Sequence, residues 1–168
     1  MAASENIEPI ERANSWLWPG VLVAAAIFAG ALAVTIGPLR DPDVFWHVRL
    51  GEELLDGVSI YDAGRDWSFA PLQYNWVSTQ WLVEILFAWL NNLAGLSGLI
   101  AYRTVTTALT LVTVGIVVFR GTRVWAALVA FILPVFTLFM FAQERPQQVS
   151  FILLPIVGYW WLRAVRDG

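Results

Sequence analysis

Residues 79–94 read TQWLVEILFAWLNNLA, and the topology of the whole chain turns on whether they cross a membrane. Their apolar residues recur with a helical period, and Gln80, Glu84 and Asn91 fall within about 40° of one another on the helical wheel. The run reaches only ~24 Å, short of a ~30 Å hydrocarbon core, and it carries an acid. If it crosses, Arg120, Arg123, Arg163 and Arg166 all land outside; if it lies along the surface, all four are cytoplasmic, as the positive-inside rule prefers. The surface reading is adopted. It predicts an all-α membrane protein with four transmembrane helices over about 17–39, 98–119, 124–142 and 149–163. Both termini are then cytoplasmic, and an outer loop over 40–97 holds two juxtamembrane helices. Residues 1–15 form a cytoplasmic tail, and 16–168 a single helical membrane module.

Composition requires a membrane. Of 168 residues, 58% are hydrophobic and 14% charged, where soluble domains carry about 25% charged residues. A water-soluble fold of this size cannot hide so much apolar surface. The absence of cysteine excludes disulfide and thiol chemistry, and with one histidine it argues against a zinc cluster. A net charge of −3 without basic clusters argues against nucleic acid as a partner. Ten tryptophans suit a chain bordered by lipid interfaces, with Trp16 and Trp18 marking one end of the first span. The N-terminus carries Glu5, Glu8 and Glu11 where a signal peptide would be basic, so the first span is expected to be retained.

The outer loop opens with Asp41-Pro42-Asp43-Val44-Phe45-Trp46-His47. Asp43 is placed to cap a helix over 44–56 that Gly57 ends. On that helix Arg49, Glu52, Glu53 and Asp56 share one side, and Val44, Val48, Leu54 and Leu55 the other. Residues 58–77 read as an ordered, aromatic-rich loop.

Each candidate functional residue has two readings. Asp41 and Asp43, two carboxylates at i and i+2, can hold a divalent cation or act as general base; the alternative is that Asp43 caps a helix and Asp41 is simply exposed. His47 either orients Asp43 or contacts a phosphate, or simply sits at the interface. Glu84 either faces a cavity or partner, as an acid near the membrane usually does, or faces lipid without a functional role. Arg103 heads a stripe with Thr106, Thr110 and Thr113, and either grips a lipid-linked phosphate or snorkels to headgroups. Arg145 either faces the same site or pairs locally with Glu144 at the break before Pro146. The chosen topology brings all of them to one membrane face.

Several of these residues also form an ordered set of short patterns. D-x-D-x-x-W-H falls at Asp41, Asp43, Trp46 and His47, and G-x-x-L-x-x-G at Gly51, Leu54 and Gly57. Asp62 or Asp66 precedes Ser68-Phe69, and W-V-x-x-x-W-L-x-E falls at Trp76-Val77, Trp81-Leu82 and Glu84. Arg103 opens the second span and Arg145-Pro146 precedes the last. In this order and spacing the chain resembles the N-terminal part of GT-C glycosyltransferases, multi-span enzymes that use polyprenyl-phosphate sugars. Protein O-mannosyltransferases and lipid A aminoarabinose transferases are relatives of that kind.

The resemblance implies an aspartate of the first outer loop as base or metal ligand, carried to Asp43 first and Asp41 second. It also implies donor-phosphate contacts at Arg103 or Arg145, with His47 and Glu84 in the substrate site. The implied setting is the outer face of a bacterial inner membrane, with lipid and a polyprenyl-phosphate sugar donor as partners. Two departures stand out. Gln80 occupies the place of an acid in Ser78-Thr79-Gln80-Trp81-Leu82, and there are four spans where these enzymes have many more. The chain is therefore expected to be either the front of a longer enzyme or a short relative without catalysis. In the second case it is a non-catalytic subunit of a larger membrane complex, its tryptophans and threonine stripe serving as packing surface.

Overall fold

A computed structural model describes residues 17–67, 77–121 and 123–167. All regular structure among them is helical: α1 (Leu17–Thr35), α2 (Val44–Leu55), α3 (Trp81–Ala94), α4 (Leu96–Gly121), α5 (Val124–Phe141) and α6 (Gln148–Asp167), with a 3₁₀ turn at Arg65–Trp67. Trp18–Thr35, Leu96–Arg120, Val124–Phe141 and Gln148–Asp167 are long and apolar enough to cross a membrane, whereas Trp81–Ala94 is shorter. The chain is an all-α, multi-pass membrane protein. The expected tail over 1–15, Trp16, Ser68-Phe69 and Trp76 lie outside the described residues.

Helix ends differ from the hydropathy reading where local chemistry intervenes. The first span stops at Thr35, not 39, because Pro38 disfavours a helical Gly37. The last helix has 20 residues and runs past the expected stop at 163. Its final turn is supported by Arg163 Nε donating to Asp167 at 3.2 Å, an i,i+4 pair.

The chain packs as two units: the described parts of 1–35, 107–141 and 151–168 in one, residues 36–106 and 142–150 in the other. Helix α4 runs through both, its first eleven residues (96–106) belonging to the second. In the first, spanning unit, α1 packs along α5. Leu111, Phe131 and Leu138 form its core, flanked by Ile27, Phe28, Val114 and Val135. Most of its apolar surface nevertheless points outward, including Val129, Leu133, Phe136 and Met140 on α5. Only 6% of α6 is buried, which suits a helix solvated by lipid rather than water.

The second, loop unit is built on α2 against α3. Val44 and Val48, one turn apart, meet Phe87, Leu99 and Tyr102. Gly51 permits the close approach: a Cβ there would collide with the Glu84 carbonyl oxygen and lie 2.9 Å from the Ala88 Cβ. Of the apolar side, Val44 and Val48 are buried, but Leu55 remains 49% exposed. Gly57 ends α2 as expected, at φ +89°. The Val58 N–H reaches the Glu53 carbonyl (2.9 Å) and the Gly57 N–H that of Leu54 (3.2 Å), the paired bonds of a Schellman turn. Glu53, expected on the solvated side, instead accepts from the Gly64 N–H and the Trp67 indole N–H, both at 2.8 Å. Trp67 stands edge-on to Trp46, ring centres 4.5 Å apart.

Candidate functional site

Every candidate residue lies in the loop unit. At its centre Arg103 of α4 and Glu144 form an ion pair in which both side chains are 0% exposed. Arg103 also donates to the carbonyls of Pro38 (3.0 Å) and Gly37 (2.9 Å). The other Glu144 oxygen accepts the backbone N–H groups of Arg40 (3.0 Å) and Asp41 (3.3 Å). A buried charge pair persists only when its remaining donors and acceptors are satisfied, and here the chain leaving α1 supplies them. The pair thereby fixes residues 37–41. Arg103 was expected to grip a phosphate or snorkel to headgroups; enclosed on all these partners, it turns no open face to either. The local Glu144–Arg145 pair does not form, because the two side chains take different partners.

Arg145 reaches the opposite way. Its Nε donates to Asp41 Oδ2, and its Nη2 to Asp41 Oδ1 (3.3 Å) and Asp43 Oδ2 (3.4 Å). The Asp41 bond, and the charges of Asp41 and Asp43, push the guanidinium further toward its charged form, against a smaller opposing effect of burial. Asp41, exposed in the alternative reading, is instead buried, because Arg145 and the Asp43 N–H (3.0 Å) satisfy its carboxylate. Asp43 stands before α2, but its side chain makes no capping bond; Asp41 and Arg145 orient it instead. Asp43 is 66% exposed and Arg145 44%. The Tyr102 hydroxyl donates to the Arg145 carbonyl at 3.1 Å, steadying the break from below.

A second cluster lies between α2 and α3. Glu84 is buried and takes Ser78 Oγ on one oxygen and His47 Nδ1, at 3.0 Å, on the other. A carboxylate at Nδ1 draws the ring proton there, and in the neutral ring Nε2 is then the acceptor. His47 is thus oriented by Glu84, not by Asp43, to which its ring makes no bond among the described contacts. Gln80 contributes its backbone, its N–H meeting Ser78 Oγ at 3.3 Å. Of the threonine stripe, Thr106 bonds back to the Tyr102 carbonyl (2.8 Å) and Thr113 to that of Thr110 (2.9 Å), within their own helix.

The residues present do not fit the divalent cation expected at Asp41 and Asp43. The Arg145 guanidinium already bridges the two carboxylates, and no group of three metal-binding side chains occurs among the described residues. Sequence reading overlooked Ser78 and Tyr102 as partners and took Glu144 for a neighbour of Arg145. The signal available for Glu144 was an acid at a break between two apolar helices, where such a group commonly faces a partner rather than lipid. No family model, curated protein or solved structure matches the chain.

Proposed function

We propose that this chain is the opening module of a GT-C type transferase, moving a sugar from a polyprenyl-phosphate donor on the outer face of a bacterial inner membrane. The observation that carries the reading is the exposed Asp43 beside the half-exposed Arg145, both held from beneath by buried Asp41. In the reaction the acceptor hydroxyl attacks the sugar's anomeric carbon, and Asp43 takes the hydroxyl proton. The bond from that carbon to the phosphate oxygen breaks, and Arg145 neutralises the departing polyprenyl phosphate. His47, oriented by Glu84, offers Nε2 as an acceptor for a sugar or acceptor hydroxyl. No step is assigned to a metal.

A photoreactive polyprenyl phosphate tests the donor site on the purified protein in detergent. Labelling is expected for the unaltered protein and for Asp43→Asn, and to fall roughly ten-fold in Arg145→Gln, about 1.4 kcal/mol for a lost charge-assisted fork. Equal labelling of the unaltered and Arg145→Gln proteins would remove the donor site. The rival reading, a non-catalytic membrane subunit, draws on α6, whose surface is almost wholly uncovered. Under it, no specific labelling occurs and the protein purifies with a partner seated on that helix.

A further inference from the structure

The end of the spanning unit where α4 and α6 finish holds a cleft that the transferase reading does not use. Its volume is about 450 Å³. Val117 and Arg120 of α4 and Tyr159, Leu162, Arg163 and Arg166 of α6 line it, with Asp167 at the rim. Three guanidiniums converge on a space with an apolar floor. Arg163 is tied to Asp167 by an exposed pair, but Arg120 and Arg166 have no ion pair among the described residues. The C-termini of both helices contribute roughly half a negative charge each.

The surroundings locate this end at a lipid–water boundary. Trp160 and Trp161 on α6 and Trp125, on the first turn of α5 just past the end of α4, are all largely exposed. Indole rings in such a belt favour the headgroup level. Tyr159 adds a phenolic hydroxyl to the wall, and Val117 and Leu162 continue the cleft toward the apolar faces of their helices. A cavity with guanidiniums at its mouth and aliphatic side chains below matches one molecule: a phospholipid with an anionic headgroup, phosphate on the arginines and chains along the helices.

We infer that the cleft between the C-terminal ends of α4 and α6 is a binding site for an anionic phospholipid, its phosphate held by Arg120, Arg163 and Arg166. The alternative is that the three arginines merely snorkel, with no preference among lipids. Native mass spectrometry of the full chain, loaded with equal phosphatidylglycerol and phosphatidylcholine and then delipidated stepwise, separates the two. One phosphatidylglycerol is expected to be retained after phosphatidylcholine is gone. Each arginine near an anionic group contributes roughly five-fold, so Arg120→Gln with Arg166→Gln should weaken retention roughly twenty-five-fold. Arg49→Gln with Arg65→Gln, in the loop unit, should leave it unchanged.

Should the double variant fail to fold, the unaltered protein decides the matter through competition. Millimolar inorganic phosphate should not displace phosphatidylglycerol, because the acyl chains carry part of the binding. Equal retention of the two lipids, retention unaffected in a folded double variant, or displacement by inorganic phosphate would each overturn the inference.

Discussion

The two units of this protein solve opposite problems with the same helical backbone. The spanning unit has apolar side chains on nearly every face and leaves most of them exposed. It needs no polar contact to choose its neighbours, because lipid solvates whatever it does not bury. The loop unit buries Asp41, Glu84, Arg103 and Glu144, and each has a partner. Its shape follows from a few obligatory pairings. Adaptable packing in one unit and specified contacts in the other imply that mutations of similar size will be felt very unequally.

The sharpest break in that contrast is Glu144→Gln. It leaves Arg103 charged, buried and without its counter-ion, and it weakens the hold on the Arg40 and Asp41 N–H groups. A loss of about 3–5 kcal/mol is expected, read as a fall in the detergent unfolding midpoint and as proteolysis within residues 36–43. Replacing Arg103 and Glu144 together by Met and Leu should recover part of the loss. If the single variant melts like the unaltered protein, the pair does not organise the loop unit.

Two glycines give a milder comparison. Gly51→Ala places a methyl group against the Glu84 backbone, and overpacking of that kind costs about 1–3 kcal/mol. Gly30→Ala in α1 meets nothing within 4 Å and should be neutral or stabilising by up to about 1 kcal/mol through helix propensity. Parallel melts of the two variants check the pair, and a neutral Gly51→Ala would mean that α2 and α3 sit further apart. The smallest effect belongs to Arg49→Ala. Its contacts with Glu52 (3.6 Å) and Glu53 (3.9 Å) are long and its own side chain is exposed, and under about 0.5 kcal/mol is expected. A larger loss would mean that Arg49 acts through the Glu53 bonds to Gly64 and Trp67.

The same contrast explains what the sequence made legible. Each span is written in about twenty consecutive residues, so hydropathy finds it without knowing its neighbours. The helix over 44–55 and its glycine stop are local as well. The polar pairings are not. Arg103 meets Glu144 across 41 residues, and Arg145 meets Asp41 across 104. Pattern reading picked out Asp41, Asp43, His47, Glu84, Arg103 and Arg145 as a group, and all six do fall in one unit. It could not divide them into those that hold the chain and those that stay open, since that depends on burial. Asp43 and Arg145 kept their exposure, whereas Arg103 became part of the frame. Ser78 went unnoticed as a partner because a hydroxyl next to a helix start carries no signal of what lies across from it.

The separation between Arg103 and Glu144 also has a consequence in time. A ribosome adding about 5–20 residues per second delivers Glu144 some 2–8 s after Arg103. Throughout that interval the permanent counter-ion of the arginine is still unmade. Water, lipid phosphate or the insertion machinery must hold the charge until the next hairpin arrives. The loop that carries Asp41 and Asp43 is synthesised early and takes its final form late, so a chain interrupted before residue 144 would own Asp41, Asp43 and Glu84 but lack the acid that fixes residues 37–41.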